Sequence, residues 1–246
     1  MKEELKGIIL AAGKGTRLRP WTNEKPKPLL ELGGKPILSY ILDGFAAAGV
    51  KETILVVGYL SEQIKDYYGG EYAGMKIEYI QQAEQLGTGH ALLLAEDKLR
   101  DGRFMLSWGD ILAQPENHTA LVDFHRSNNF KATITMNPVD DPYAGAAVYV
   151  DGNRVTGLVE KPPKGESTTN WNHRGIFVLE PEIFDELKSL EKSPRGEYEL
   201  PQAVAAMIEK GKPVGGMPVI GFTSDIGTKE EFREYEEYLE KKRDGG

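Results

Sequence analysis

A glycine loop that carries a cationic side chain directly follows an apolar segment near the start of the sequence. The stretch GIILAAGKGTRL, residues 7–18, contains Gly13, Gly15 and Arg17. Glycines let backbone N–H groups approach a phosphate closely, and a guanidinium offers a planar fork for its oxygens. An ordinary structural turn remains an alternative, because the loop matches neither a Walker A loop nor a dinucleotide-binding fingerprint. The loop is a candidate anion site that needs support from elsewhere in the chain.

A second candidate cation, Lys27, is presented from a stiff segment. In PWTNEKPKPLLELGGKP, residues 20–36, Lys27 lies between two prolines. Proline fixes its own φ and pushes the preceding residue towards extended conformations. We therefore predict that Lys27 is held in a non-helical segment at the anion site, whereas Lys25 lies in a surface loop.

The stretch QQAEQLGTGHAL, residues 81–92, joins the end of a predicted strand to a predicted helix. The Gln82 amide offers a paired donor and acceptor for the edge of a base, and the N-terminal amides of the following helix favour negative charge. The alternative is a polar strand end followed by a helix cap, which we favour for Gln81 and Gln85. His90 is predicted to be a helix residue packed near the site.

Two aspartates follow apolar runs that are far apart in the chain. Asp110 ends the strand-like stretch in MLSWGDI, and Asp225 lies in FTSDIGT. Each alone is equally compatible with a helix cap, but two hard oxygen ligands at element ends suit Mg²⁺ held jointly with substrate phosphates.

A further pair of charged residues, Glu160 and Lys161, precedes prolines in VEKPPKG. Glu160 could accept hydrogen bonds from hydroxyl groups and Lys161 could hold a phosphate, although an ordinary hairpin ion pair is the alternative. The other carboxylates, mostly at 180–200 and 230–244, are predicted to lie on solvated helix faces.

Short β-branched runs alternate with amphipathic stretches along the chain, a pattern typical of βαβ units around a mainly parallel sheet. A β-hairpin is predicted in 145–162, around the turn at 151–153, and a charged helix from Thr228. Ligands of such sheets bind outside the carboxyl ends of the strands, where the strand order reverses. Strands are predicted at 6–11, 53–57, 77–81, 104–108, 132–136, 176–179 and near 214–220, and helices at 37–48, 61–68, 89–98, 119–128 and 201–210.

The bulk composition limits the class of protein. The 246 residues carry a net charge of −8 and no cysteine. This charge argues against a nucleic-acid-binding groove, and the missing cysteines rule out disulfides and thiolate chemistry. No apolar run approaches the length of a membrane span, and the acidic start MKEELKG does not resemble a secretory signal. We expect a cytoplasmic protein with one domain over 1–246, made of a core at 6–228 and a C-terminal helix and tail at 229–246.

The motifs together resemble those of the sugar-1-phosphate nucleotidyltransferases, over about residues 6 to 228. They occur in the family's order: LAAGKGTRLRPWTNEKPKPLLELGGKPI, QAEQLGTGHAL, GD, PYAG, VEKP and DIGT. The second is similar to N-acetylglucosamine-1-phosphate uridylyltransferases, and the first and last to glucose-1-phosphate thymidylyl- and uridylyltransferases. No hexapeptide repeat for an attached β-helix domain is present.

The resemblance implies a Rossmann-like three-layer α/β/α fold with a small antiparallel excursion that binds sugar. It also implies a Mg²⁺-dependent reaction of an NTP, with UTP or dTTP favoured, and glucose or N-acetylglucosamine 1-phosphate. By the same resemblance, Arg17 and Lys27 grip the phosphates, and Asp110 and Asp225 bind the metal. The nucleotide-binding residues would be Leu10, Ala11, Ala12, Gly13, Gly15, Thr16, Gln82, Gly87 and Thr88, and the sugar-phosphate-binding residues Gly145, Glu160, Lys161 and Asn172.

The sequence departs from the family pattern at three places. His173 stands where many relatives have asparagine, Trp108 is bulkier than expected, and GEYELPQ lacks the common Ile-Thr-Asp ending. Two other functions stay open at this point: a guanylyltransferase for mannose or heptose 1-phosphate, and a regulatory subunit that binds NDP-sugar without turnover. The expected partners are an NTP and a sugar 1-phosphate, with neither nucleic acid nor membrane, and a homo-oligomer remains open.

Overall fold

A computed structural model of the chain describes residues 4–244. No helix in this range is long and apolar enough to cross a bilayer. The strands are β1 Lys6–Ala11, β2 Glu31–Leu32, β3 Lys35–Pro36, β4 Glu52–Val57, β5 Glu71–Tyr72, β6 Met75–Gln81, β7 Phe104–Trp108, β8 Ile111–Leu112, β9 Ala132–Pro138, β10 Ala146–Asp151, β11 Arg154–Glu160, β12 Trp171–Leu179, β13 Val214–Pro218 and β14 Ser224–Asp225. The helices are α1 Ile37–Ala47, α2 Ser61–Tyr68, α3 Thr88–Leu93, α4 Glu96–Leu99, α5 Pro115–Asn128, α6 Ile183–Lys188, α7 Leu200–Glu209 and α8 Lys229–Asp244.

Ten strands form one mixed sheet in the order β10-β11-β13-β9-β12-β7-β1-β4-β6-β5. One group of adjacent strands is parallel, as expected for βαβ units: β1 pairs with β7 and with β4, and β4 pairs with β6. The antiparallel part is more extensive than the predicted hairpin, because β12 pairs antiparallel with both β7 and β9. The sheet therefore has a parallel half that follows the sequence prediction and a mixed half built by the second part of the chain.

The central strand β1 is covered on both faces. Ile8 and Ile9 are both fully buried, and they belong to different hydrophobic clusters. Ile9 packs with residues of α1 and α5, whereas Ile8 packs with residues of α3, α6 and α7. A strand buried on both faces must be apolar at consecutive positions, which explains why its sequence does not alternate.

The prediction of one continuous helix over 89–98 is wrong. This segment is divided into α3 and α4 at Leu94 and Ala95. Ala95 has φ −101° and ψ 5°, and its N–H donates to the carbonyl of Leu92, three residues back. This tightened turn separates α3 from α4, and periodicity alone does not reveal it.

The prediction that the carboxylates at 180–200 lie on solvated faces is wrong for Glu186. Its side chain is buried, and it accepts hydrogen bonds from Nζ of Lys210 at 2.6 Å and of Lys212 at 3.1 Å. A buried carboxylate needs such partners, since it has lost its hydration. Glu186 therefore joins α6 to the chain that follows α7.

Helices α1 and α5 pack closely at Gly44 and His118. A Cβ atom at Gly44 would lie 2.3 to 2.7 Å from three atoms of the His118 ring, so only glycine allows this approach. His118 is 1% exposed, and its ring lies 5.9 Å from that of Phe45 in an edge-on arrangement. Burial lowers the pKa of His118 from 6.5 to about 4.

We predict that His118 destabilises the folded protein in acid. Folding lowers the pKa of His118. Below pH 6.5 this side chain is therefore protonated in the unfolded chain, whereas in the folded chain it stays neutral down to about pH 4. The free energy of unfolding should therefore fall by about 2 kcal/mol from this group between pH 7 and pH 5. Denaturant unfolding of the wild type and of His118→Leu at both pH values measures this contribution as the difference between the two pH dependences. Equal pH dependences would contradict it.

Candidate active site

The predicted loops meet where the strand order of the sheet reverses. In the sheet, β1 lies between β4 and β7. The chain continues from β1 to β4 and β6 on one side and returns to β7 on the other. The loop after β1 and the turn after β7 leave the same edge of the sheet, and the N–H of Gly109 donates to the carbonyl of Leu10 at 2.9 Å. A Cβ atom at Gly109 would lie 2.9 Å from that same oxygen. Glycine at this position thus brings the two loops together at the switch point.

Three cavities open along this edge. The Gln82 cavity has a volume of about 310 Å³, the Arg17 cavity about 440 Å³ and the Glu160 cavity about 280 Å³. The Gln82 cavity is lined by Leu10, Ala12, Gly13, Gln82, Gly87, Thr88 and Asp110, the Arg17 cavity by Leu10, Ala11, Gly13, Gly15, Thr16, Arg17, Lys27 and Asp110, and the Glu160 cavity by Thr88, Gly145, Glu160, Lys161, Asn172 and Asp225, each with further residues. The structure therefore brings every site residue proposed from the sequence to one of three adjoining cavities.

Asp110 and Asp225 are brought together by two-residue strands that the sequence analysis did not predict. β8 and β14 pair antiparallel, with Asp225 opposite Ile111, and the N–H of Ile226 donates to the carbonyl of Asp110 at 3.0 Å. Burial, and after it the repulsion from the neighbouring Asp110 carboxylate, raise the pKa of Asp225 to about 6. Oδ1 of Asp225 is buried without a hydrogen-bond partner in the described part of the chain.

This carboxylate pair fits a hard divalent cation. An extra positive charge would relieve the repulsion between the pair and satisfy the orphaned Asp225 oxygen. Residues 4–244 contain no group of three histidine, cysteine or acidic side chains placed to hold a metal. Any ion bound here would thus depend on oxygens from substrate or water for its remaining ligands.

Lys27 is buried next to the carboxylate pair. It is 9% exposed, and its Nζ donates to Oδ2 of Asp110 at 2.7 Å. The prediction of a non-helical segment is wrong in detail, because Lys27 starts a short 3₁₀ turn, Lys27–Leu29, after the extended Pro26. Lys25 instead pairs with Glu31 at the surface, as expected. The structure thus distinguishes the two lysines by burial and by partner.

Arg17 differs from Lys27 because its guanidinium is not paired with a carboxylate in the described part of the chain. It is exposed and lines the Arg17 cavity, and within residues 4–244 it makes no hydrogen bond or ion pair. A Cβ atom at Gly227 would lie 2.8 Å from its Nη2, so the glycine of the DIGT motif leaves room for the guanidinium. Arg17 is available for an anion in the cavity.

The Glu160 cavity contains polar atoms that the protein leaves unsatisfied. Oε2 of Glu160 and Nδ1 of His173 are buried without a hydrogen-bond partner in the described residues. Lys161 has a φ of +47°, which is uncommon for a residue with a side chain. Asn172 accepts a hydrogen bond from the N–H of Ala146 at 2.8 Å, so its side chain is fixed to the first residue of β10, next to Gly145.

Sequence reasoning missed Glu197, which lines all three cavities. The extended segment around it is fixed to the QLGTG loop, since the N–H of Tyr198 donates to the carbonyl of Leu86 and the N–H of Gly89 to that of Tyr198, both at 2.8 Å. The only local signal is alternation of charged residues in RGEYELP. Other missed lining residues are Gln85, Trp108, Arg174, Arg195 and Glu199.

Comparisons with known proteins show which family and which fold the chain resembles. A sequence model of the family described as Nucleotidyl transferase matches residues 6–242. The chain is 37% identical to a UTP–glucose-1-phosphate uridylyltransferase of Haloferax volcanii, over 96% of the chain and 97% of that protein. It is 38% identical to the bifunctional protein GlmU of Methanococcus maripaludis, over 89% of the chain but only 51% of that protein.

The fold also matches a solved structure. A UDP-glucose pyrophosphorylase complexed with UDP-glucose superposes with a TM-score of 0.89 and 21% identity, over 98% of this chain and 100% of the other. At this level of identity the match establishes the shared α/β fold.

We predict that Asp225→Asn stabilises the metal-free protein. Removing a buried carboxylate whose pKa is raised from 3.8 to about 6 should increase the free energy of unfolding at pH 7.5 by about 3 kcal/mol in the presence of a chelator. Mg²⁺ should stabilise the wild type but not the variant, because the variant lacks one of the two carboxylates.

Thermal and denaturant unfolding with chelator and with Mg²⁺ measure both effects. Asp66→Asn, which removes an exposed carboxylate on α2, is the matched control and should respond to Mg²⁺ like the wild type. An Asp225→Asn protein that is less stable in chelator, or that keeps the Mg²⁺ response, would contradict the assignment.

Proposed function

The chain belongs to the nucleotidyl transferase family, and on that premise we propose that it joins a sugar 1-phosphate to UTP or dTTP, forming an NDP-sugar and pyrophosphate. The observation that carries the proposal is the order of the three cavities. The Arg17 cavity, which is lined by glycines and contains Arg17 and Lys27, adjoins the Gln82 cavity through Leu10, Gly13 and Asp110. The Glu160 cavity adjoins the Gln82 cavity through Thr88 and Trp108. A nucleoside, its phosphates and a sugar phosphate require such an arrangement.

In the proposed reaction, an oxygen of the sugar phosphate attacks the α-phosphorus of the nucleotide. A new P–O bond forms, the bond from the α-phosphorus to the bridging oxygen breaks, and pyrophosphate leaves with that oxygen and its electron pair. The second pKa of a phosphate monoester is about 6, so the nucleophile is already ionised at neutral pH. No general base is therefore needed.

The main obstacle is repulsion between two anionic reactants. Positioning and electrostatic stabilisation must supply the catalysis. In our proposal, Arg17 and the backbone N–H groups of the glycine loop bind the nucleotide phosphates, and Lys161 binds the sugar phosphate. Lys27 keeps Asp110 in place and adds positive charge next to the reacting phosphates.

Members of this family generally use a divalent metal, and we propose Mg²⁺ held by Asp110 and Asp225. When bound, such an ion would neutralise phosphate charge at the reacting centre. The two carboxylates would hold the ion, while Lys27 orients Asp110 through its hydrogen bond to Oδ2.

The sugar is proposed to lie in the Glu160 cavity as glucose or N-acetylglucosamine. Glu160 lines this cavity, and a carboxylate is suited to accept a hydrogen bond from a sugar hydroxyl. UTP is favoured as the nucleotide, since the relative that the chain covers almost fully is named a uridylyltransferase.

Pyrophosphate release from a matrix of nucleotides and sugar phosphates tests the proposed function. With Mg²⁺, UTP or dTTP combined with glucose or N-acetylglucosamine 1-phosphate should give the fastest release. A preference for GTP with mannose or heptose 1-phosphate would instead identify a guanylyltransferase. Binding of NDP-sugar without release from any pair would identify a regulatory subunit.

We predict that Arg17→Ala lowers turnover by at least ~100-fold in steady-state kinetics, because it removes a phosphate-binding cation that has no ion-pair partner among residues 4–244. Near-normal turnover would remove Arg17 from this role.

A lysine pair separates the roles of two cations in the same segment. Lys27→Ala should lower turnover by at least ~100-fold, whereas Lys25→Ala should change it less than ~3-fold, because Lys25 makes a surface ion pair with Glu31. Steady-state kinetics of the two purified variants measure the difference. Similar losses in both would contradict the assigned role of Lys27.

A further inference from the structure

The orientation of the Gln82 side-chain amide is set by a backbone carbonyl. The amide nitrogen Nε2 lies 3.2 Å from the carbonyl oxygen of Gly87. A carbonyl oxygen can only accept a hydrogen bond, so the amide atom facing it must be the NH₂ group. The alternative orientation would set two oxygens against each other. The contact with Gly87 therefore favours the orientation in which the NH₂ group faces this carbonyl and Oε1 lies at the other end of the amide.

His90 takes the second hydrogen of the same NH₂ group. Its Nδ1 lies 3.1 Å from Nε2 of Gln82. Because Nε2 is a donor, Nδ1 must be the acceptor, which requires a neutral imidazole with its proton on Nε2. His90 lies on α3, one turn after Gly87, so both acceptors belong to the same loop and helix. The donor capacity of the amide is thus fully used within the protein.

The remaining polar atom of Gln82 is its oxygen Oε1. The residue is 5% exposed and lines the Gln82 cavity, and Oε1 makes no hydrogen bond to any residue in the described range 4–244. Oε1 is not among the fully buried polar atoms that lack a partner, so part of its surface is accessible. Because Gln82 lines the cavity, we assign this accessible surface to the cavity side of the side chain. The paired donor and acceptor expected from the sequence is reduced to a single acceptor.

We propose that His90 is a positioning residue that, through Gln82, selects uracil or thymine over cytosine. Uracil and thymine carry a hydrogen on N3, in the middle of the edge that Oε1 would meet. Cytosine carries an unprotonated N3 there, so two acceptors would face each other. With His90 removed, the amide loses one of the two contacts that hold its orientation and can present its NH₂ group instead. The proposal rests on the proposed function for the location of the base.

Equilibrium binding of UTP and CTP by calorimetry tests this role without turnover. The wild type should bind UTP more tightly than CTP. His90→Leu, which has no acceptor, should reduce the ratio of the two affinities on the order of fivefold, as expected for one neutral hydrogen bond. His90→Asn places an amide oxygen near the position of Nδ1 and should retain most of the ratio. A merely structural role would weaken both nucleotides equally and leave the ratio unchanged, and that result would overturn the proposal.

A second measurement uses the wild type and does not depend on the folding of a variant. ¹⁵N chemical shifts of the imidazoles distinguish the two neutral tautomers, and the His90 signal is identified by its absence in His90→Asn. We expect His90 with its proton on Nε2 and an unprotonated Nδ1. A proton on Nδ1 would overturn the proposal. If the activity matrix showed no pyrophosphate release, the proposed function would fail, while the UTP-to-CTP ratio and the tautomer would still decide the role of His90.

Discussion

The arrangement of the site depends on holding two carboxylates close together in a partly buried crevice. Asp110 and Asp225 repel each other, and burial weakens the screening of that repulsion by water. The protein offsets part of the cost with the buried Lys27, whose Nζ lies 2.7 Å from Asp110. It leaves Asp225 with a pKa raised to about 6 and an oxygen without a partner. The free protein thus retains a deficit of positive charge at the point where a cation and phosphates would meet.

The sheet supplies the rigid frame for this site. β1 and β7 run parallel and side by side, so their carboxyl ends deliver the glycine loop and Asp110 to the same edge. Glycines permit the close approach of successive loops, as at Gly58, where a Cβ atom would lie 2.6 Å from the carbonyl of Ala12. The positions of the phosphate-binding groups are therefore consequences of strand polarity and of backbone contacts that exclude side chains.

Several polar side chains divide their hydrogen-bonding capacity between the fold and the cavities. Asn172 uses its amide oxygen to accept a hydrogen bond from the N–H of Ala146, and the residue also lines the Glu160 cavity. Gln82 commits its NH₂ group to Gly87 and His90 and keeps its oxygen accessible. Such division fixes the rotamer of a side chain before any ligand arrives, which lowers the entropy lost on binding. It also decides whether the atom that meets the ligand is a donor or an acceptor.

The sequence by itself determined the elements and loops whose signals are local. β1, β7 and α2 have the predicted bounds, since their apolar patterns and flanking glycines or polar residues lie within a few positions. The glycine loop and Gln82 stand out as candidate ligand-binding groups by residue type and spacing for the same reason. These features depend on local backbone preferences and on hydrophobic periodicity, both of which can be read from adjacent residues.

Only the tertiary structure decided which distant residues meet. The pairing of β8 with β14 involves two residues on each side, too few for a periodic pattern, yet it joins Asp110 to Asp225 across more than a hundred positions. The burial of Glu186 and the placement of Glu197 at three cavities likewise depend on segments far away in the chain. Whether a charged side chain is solvated, paired or facing a ligand depends on the residues that folding brings next to it. Local patterns in a single sequence do not indicate which distant residues these are.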